Sequence, residues 1–427
     1  MKHIIYFLLL ISLLLASGCN HTGGDLPAID IVGALEARAY KQLPLSEFAS
    51  EVEYVPLETG EGFLTDNFYT TTVTADRILV SSGGYCYAFT RQGKFITHIG
   101  KRGNGPGEYT FIAGVSVGEE GKHVYIETTA QVMEYTWDGV FVRSVDKPKL
   151  TETEIFGEFD RPQNLAMLRD NLFLGGVNNN SGKAPYSWAI VDNDGSLVKT
   201  FPRGIMLDKS ERFMSTTLGA PTPFVVDGEA WIKEYINDTL FLLNRRDELV
   251  PKFVFGLGTY TFPRNVYLSI ENNDDIARST ITPNLNRTTP MSITPRHIFF
   301  SADVGQGILS TLDVPVRFHG EFETTVQGVY NIRSSETVLL DSDPTTGKVG
   351  LVNDLDGGLP FWPRSYNATG REMVGVLEAY EMKELLTEEH FAAYPAKDRA
   401  AHSRLRELLK DLKDDDNPVI VIAKLKK

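Results

Sequence analysis

From about Ile29 onward, apolar and polar positions alternate over short runs separated by turn residues, and helical spacing hardly appears before the C-terminal region. Alternation sends successive side chains to opposite sides of an extended chain, so the pattern predicts short strands. The strands recur around similar turns. Tyr87-Ala-Phe-Thr-Arg-Gln-Gly93-Lys-Phe-Ile96, Glu134-Tyr-Thr-Trp-Asp-Gly139-Val-Phe-Val142 and Ala189-Ile-Val-Asp-Asn-Asp-Gly195-Ser-Leu-Val198 each read as strand, polar turn with glycine, strand. Asp-Gly and Asn-rich turns supply the positive φ that tight hairpins require.

A degenerate fourth copy is Leu240-Phe-Leu-Leu-Asn-Arg-Arg-Asp-Glu-Leu-Val250, and a fifth runs from Val338-Leu-Leu-Asp341 to Thr346-Gly347-Lys348-Val349. The first four turns lie about 46 to 56 residues apart, close to the roughly 40 to 50 residues of a propeller blade. The fourth-to-fifth interval is about twice as long and holds a stretch rich in Asn, Pro and Thr at 259–295, read as a loop insertion in blade five, with a seventh, eroded blade as the alternative. A sixth blade comes from the segment Phe361 through Met382 and the final Pro418-Val-Ile-Val-Ile-Ala-Lys-Leu425. Between these lies a helical insertion at 383–416, with Ala401, Leu405, Leu408 and Leu412 on one face and Asp414-Asp-Asp-Asn-Pro418 ending it. Closing the ring requires a strand within 51–57 to pair beside the C-terminal one, which protects the sheet edges. The expected fold is therefore an all-β, six-bladed β-propeller over residues 29–427 with a short C-terminal helical insertion in the last blade.

The first residues follow a different rule. Lys2 precedes an apolar run from Ile4 to Leu15, and Ala16, Ser17 and Gly18 precede Cys19. That is the layout of a signal peptide over 1–18, too short to span a bilayer comfortably as a permanent helix, which takes about 20 residues. A cysteine directly after small residues resembles the lipobox of bacterial lipoproteins, which implies lipid attachment at Cys19 and a polar, Gly-rich tether over 19–28. No run of acidic residues follows Cys19. The expected location is the bacterial cell envelope, lipid-anchored and outer-membrane, with the periplasmic face favoured over the cell surface.

Composition narrows the partners. After cleavage only Cys86 remains, so the fold must stand without a disulfide. Hydrophobic residues make up 42% of the 427, enough for a large packed core. The formal charge of −14 argues against nucleic acid, whose phosphates need clustered Lys and Arg.

Four stretches carry a more specific likeness. They are Leu45-Ser-Glu-Phe-Ala-Ser-Glu-Val-Glu-Tyr-Val-Pro-Leu57-Glu, the loop Gly100-Lys-Arg-Gly-Asn-Gly-Pro-Gly-Glu-Tyr109, the segment Asn353-Asp-Leu-Asp-Gly-Gly-Leu-Pro-Phe-Trp-Pro363, and the ending Asp416-Asn-Pro-Val-Ile-Val-Ile. Together they resemble the six-bladed β-propeller lipoproteins of Bacteroides-type bacteria. The blades are similar to NHL repeats, in which a glycine-rich loop leads from the outer strand of one blade to the inner strand of the next. The resemblance implies a fold and brings no catalytic residues.

Several motifs lack the context their chemistry needs. The loop from Gly103 to Tyr109 has glycines that could cradle a phosphate, but the spacing is G-x-G-x-G, Pro106 removes a donor and no helix pattern follows. As a blade-to-blade crossover it places Arg102, Asn104, Glu108 and Tyr109 as candidate binding-rim residues. Gly114-Val-Ser116-Val-Gly118 matches the nucleophile elbow in letters only, since Ser116 falls within a strand pattern. Asp192-Asn-Asp-Gly195 opens like a calcium loop but lacks its later Gly and Glu, leaving a hairpin turn. Eight scattered histidines, His98, His123 and His319 among them, show no zinc spacing. Trp362 and Arg364 complete the candidate rim, Trp362 as a stacking platform or, more commonly for such clusters, as packing between blades.

These readings give no catalytic or metal residues and no required cofactor, and they leave open a divalent metal assembled in the central channel from distant blades. The expected function is a membrane-anchored binding or scaffold propeller that recognises a peptide, glycan or envelope protein partner. The alternative is a channel-sited metal-dependent lyase or lactone or ester hydrolase.

Overall fold

The computed structural model describes residues 26–63, 68–118, 121–150, 161–178, 184–204, 221–234, 237–258, 285–304, 317–319, 323–366 and 370–426. The leader, Cys19 and 259–284 of the expected insertion lie outside these residues. Residues 285–293, at the end of that expected insertion, form a regular inner strand, Leu285–Ile293.

Six antiparallel sheets form the six blades of a β-propeller. From the inside outward, blade one is Phe68–Val73, Arg77–Ser82, Tyr85–Thr90 and Phe95–His98. Blade two is Gly114–Val117, His123–Glu127, Gln131–Thr136 and Phe141–Asp146, and blade three is Pro162–Arg169, Leu172–Val177, Tyr186–Asp192 and Leu197–Pro202. Blade four is Phe224–Val226, Glu229–Ile232, Thr239–Leu243 and Leu249–Gly256. Blade five is Leu285–Ile293, His297–Val304, Glu323–Asn331 and Glu336–Leu340, with Arg317–His319 pairing on the third strand. Blade six is Ser365–Tyr366, Glu372–Leu377, Val419–Leu425 and, outermost, the early strand Ala49–Pro56. That last pairing closes the ring: Val419 faces Pro56, Ile422 faces Glu53, and Lys424 faces Glu51.

The hydrophobic pattern is explained by the blade geometry. Alternate residues of a strand point to opposite sheet faces, and each blade face meets a different neighbour. In blade one Ile78 and Val80 pack toward blade six, whereas Leu79 packs toward blade two. Ile298 and Phe300 of blade five join the cluster shared with blade four, and Phe299 joins the one shared with blade six. Strands buried on both faces therefore read as continuous apolar runs. The core is distributed as a cluster at each of the six blade seams, and Cys86 is one such seam residue, fully buried between blades one and two.

The three glycine turns have a shared steric role. Gly93, Gly139 and Gly195 have φ of 83°, 77° and 81°. A Cβ on each would fall 2.1, 2.3 and 2.4 Å from the carbonyl oxygen of Pro56, His98 and Asp146, at the end of the previous blade's outer strand. Glycine satisfies both the positive φ and the close approach. At the fourth turn Asp247 adopts φ 58° instead, and its carboxylate pairs with Arg169 of blade three. The fifth turn is not where the glycine spacing put it. Outer strand Glu336–Leu340 is reached through Ser335 at φ 54°, while Thr346-Gly347 belongs to a separate turn outside the blade, bridged by Ser342 and Val349.

The N-terminal segment wraps the rim before entering blade six. Ala28–Asp30 adds a parallel strand outside blade four, and Tyr40–Lys41 does the same on blade five. Between them helix α1, Ile31–Glu36, buries Ile31, Ala34 and Leu35 in the seam of those blades, capped by Asp30 Oδ1, which accepts from Gly33 N at 2.9 Å. The sequence pattern does not predict this helix; six residues are too few for a helical period.

The C-terminal insertion is helical as expected and longer in extent. It contains α2, Ala379–Leu385, α3, Glu388–Ala393, and α4, Arg399–Asp411. Asp398 caps α4 by accepting from Ala400 and Ala401 N, and Leu405 and Leu412 are buried with Leu359 and Val419 against blade six.

Candidate functional site

The central channel is a concavity with a volume of about 1440 Å³. That exceeds the roughly 300 to 1,000 Å³ typical of small-molecule pockets. All six blades contribute to its wall. Thr71, Ser116, Asn164, Thr222 and Thr289 come from blades one to five, and Arg364 from the entry to blade six. Apolar side chains such as Val115, Met167, Phe224 and Met291 make up much of this wall, and the hydroxyl and amide groups stand among them, Asn164 at φ 53°. Such a wall suits a polar ligand that can exchange hydrogen bonds with several blades at once.

Charged side chains gather toward the end of the channel where the first and second strands of the blades turn. Arg91, on the outer turn of blade one, lies 3.1 Å from Glu53 and 3.4 Å from Glu372 of blade six, so one guanidinium spans the seam beside the ring closure. Its Nη1 is buried and has no hydrogen-bond partner among the described residues. Across the channel Arg169 pairs with Asp247 and donates to the Gly228 carbonyl at 2.8 Å, tying blade three to two turns of blade four. Arg245 donates to the Asp227 carbonyl in the same blade.

Of the residues expected at the rim, Arg364 lines the channel and the others do not. Lys101–Arg102 and Glu108–Tyr109 pair in parallel, closing the glycine loop on itself. Glu108 Oε2 accepts from Gly105 N at 2.9 Å, while Arg102 and Asn104 are exposed. Tyr109 is 2% exposed, packs in the seam of blades one and two, and donates its hydroxyl to the Ile99 carbonyl at 3.1 Å. Burial pushes its phenol well above the usual range. Trp362 packs edge-on to Phe299 at 6.3 Å, in the seam of blades five and six. The crossover thus runs along a seam, because its glycines pack against Tyr135 and Phe141 rather than facing the channel.

Ser116 does reach the channel, but from the interior of Gly114–Val117, opposite Tyr125, and a turn follows it rather than a helix. Asp192 Oδ1 accepts from Asp194 and Ser196 N at 3.0 and 2.8 Å, a side-chain-closed hairpin turn. His98 contacts the Gly62 carbonyl at 2.9 Å, and His123 pairs with Glu134. The side chain of His319 lies outside the described residues. Among the described residues no three His, Cys, Asp or Glu side chains converge as a metal-ligand set.

Two buried polar clusters stand apart from the channel. Lys147 and Glu127 pair at 2.8 Å with side chains 1% and 4% exposed, and Glu127 also accepts from Leu165 N, linking blade two to blade three. Burial raises the Glu127 carboxyl and lowers the Lys147 amine, each opposed by the other's charge. Beside the helical insertion, Asp356 accepts from Gly358 N at 2.8 Å and from the Tyr54 hydroxyl at 3.2 Å, and Asn353 Nδ2 donates to Tyr54 at 2.9 Å. Burial lifts Asp356 to about 6 despite these donors. Asp343 lies below the usual carboxylate range: burial raises it, but hydrogen bonds from Tyr394, Thr345 and Thr346 outweigh that.

The sequence reading did not identify Arg91, Asn164 or Arg169 as channel residues. Arg91 lies inside the first aligned turn, yet nothing in a strand-turn-strand pattern tells which turn residue faces the axis.

Comparison with known proteins gives the fold and a family. A protein of Bacteroides fragilis described as exported is similar in structure, with a TM-score of 0.62 at 16% sequence identity, over 91% of this chain and 98% of that one. A member of the DUF4221 family from Bacteroides vulgatus is more distant, at a TM-score of 0.44 and 10% identity, over 68% of this chain and 84% of that one. No curated protein sequence matches the chain. The family model described as a domain of unknown function, DUF4934, matches residues 26–424, and the six-bladed propeller belongs to that family.

Proposed function

We propose that this chain is an exported, lipid-anchored binding propeller whose ligand site is the central channel. The observation that carries the proposal is the channel itself: about 1440 Å³, with an apolar wall into which six separate blades set hydroxyl, amide and arginine side chains. A site built this way recognises shape and hydrogen-bonding pattern, and rigid blades hold its first-contact groups at fixed spacing. A glycan or an extended peptide of the cell envelope has the polar edges such a wall can pair with.

The leader and Cys19 supply the address. Small residues before a single cysteine, followed by a short polar tether, support attachment to an envelope membrane. No helix among the described residues is long and apolar enough to cross a membrane, which says nothing about a β-barrel. The similar Bacteroides fragilis protein is described as exported, in keeping with that address.

The test is recovery of the lipidated protein from its native envelope with whatever it holds, together with metal analysis of the same sample. A glycan or peptide that co-purifies with the native protein and is lost from an Arg364→Gln/Asn164→Ala variant supports the reading. Stoichiometric metal with no co-purifying ligand would overturn it in favour of channel chemistry.

A further inference from the structure

Exposed apolar surface is concentrated on one sector of the ring. Among the described residues eight large hydrophobic side chains are markedly exposed, and five of them stand on or beside the outer strands of adjacent blades two and three. These are Val140 at 60%, Phe141 at 37%, Val142 at 46%, Leu197 at 44% and Val198 at 50%. Apolar side chains grouped on one exposed sector mark a contact surface. Lys199 follows Val198 on the same strand and donates to the Asp247 carbonyl at 2.7 Å, which brings it beside the exposed Arg246 on the turn of blade four.

The N-terminal strap fixes where the tether leaves the ring. Val254 N donates to the Pro27 carbonyl at 3.1 Å, and Ala28 pairs with Val254, so the chain is attached to the outer strand of blade four from residue 27 onward. Only residues 20–26 separate this point from Cys19. Fully extended, that length spans about 25 Å. A lipid on Cys19 therefore holds blade four, at its rim, close to the membrane.

From these observations we infer that the outer rim of blades two and three, with the turn of blade four beside it, rests on the lipid surface as a second membrane contact. Val140, Phe141, Val142, Leu197 and Val198 enter the headgroup region, and Lys199 and Arg246 face anionic headgroups. The ring then stands on its edge, with the channel axis along the membrane plane. This rests on the lipid attachment at Cys19 proposed above.

The experiment uses the lipidated mature protein in vesicles of phosphatidylethanolamine and phosphatidylglycerol, labelled in turn with an environment-sensitive fluorophore at Val198→Cys, Val140→Cys and Gln92→Cys. Gln92 is exposed on the turn of blade one, across the ring from blade four, and the native Cys86 is buried. The inference predicts that doxyl lipids quench the labels at 198 and 140 and leave the label at 92 unchanged, and that Lys199→Gln/Arg246→Gln reduces the quenching in anionic vesicles. Protein that floats with the vesicles while 198 and 140 stay as bright as 92 would overturn the rim contact and leave the anchor standing, with a protein partner for that apolar sector as the remaining account. Protein that carries no lipid on Cys19 and does not float would overturn the anchor and this inference with it.

Discussion

Gly139 of blade two lies against the His98 carbonyl at the end of blade one, and a Cβ at position 139 would sit 2.3 Å from that oxygen. The same contact recurs between Gly93 and Pro56 and between Gly195 and Asp146, so successive blades are indexed by a glycine pressed onto the preceding outer strand.

Gly139→Ala is therefore expected to destabilise the fold by about 2 to 4 kcal/mol, from positive φ plus displaced backbone. Gly347 has φ 68° with nothing within 4 Å of the added Cβ, so Gly347→Ala should cost only about 1 kcal/mol. Urea unfolding of both variants checks the difference, and equal losses would contradict the packing role.

The Lys147–Glu127 pair makes a second prediction. Lys147→Met leaves a carboxylate buried without its partner and should cost about 3 to 5 kcal/mol, whereas Lys147→Met with Glu127→Gln should recover much of the loss. A double-mutant cycle by chemical denaturation measures the coupling.

Asp356 gives a pH signature. Its folded-state value of about 6 lies above the usual 3.8, so the unfolded chain ionises first as pH rises. Its contribution to stability is thus most favourable below pH 4, declines between pH 4 and 6, and is flat above 6, a total of about 3 kcal/mol at roughly 1.4 kcal/mol per unit. Asp356→Asn should remove this decline and be more stable than the native protein at pH 7.5. Melting curves from pH 4 to 8 that stay parallel for the two proteins would contradict the assignment.

Phe299 joins the seam of blades five and six, with ring contacts to Phe48 at 5.2 Å and Trp362 at 6.3 Å. Phe299→Ala should cost about 3 to 5 kcal/mol in the same denaturation assay. A loss below 1 kcal/mol would mean that the seam is not packed as described.

The propeller was legible in the sequence wherever a steric demand forces a residue type. Gly93, Gly139 and Gly195 mark their blades because only glycine fits, and the fourth blade was still readable through Asp247. The fifth turn was displaced because Ser335 carries the positive φ there while the more glycine-like signal at Gly347 serves a turn outside the blade. The rim strap was missed because two- and three-residue parallel strands and a six-residue helix leave no period to detect. The channel was least legible. Its wall is assembled from six blades far apart in the sequence, and strand alternation alone does not say which face meets the axis. Trp362, by contrast, behaves as aromatic residues before a strand commonly do, packing between blades.

The most direct test of the channel as the binding site is to block it in the native setting. Ser116→Cys places a reactive thiol on the wall, with Cys86 buried, and a bulky maleimide there fills the channel without touching the rim. The account predicts that the lipidated, blocked protein no longer retains the envelope glycan or peptide that the unlabelled variant carries, at unchanged melting temperature. Retention at the same level after quantitative labelling would contradict it.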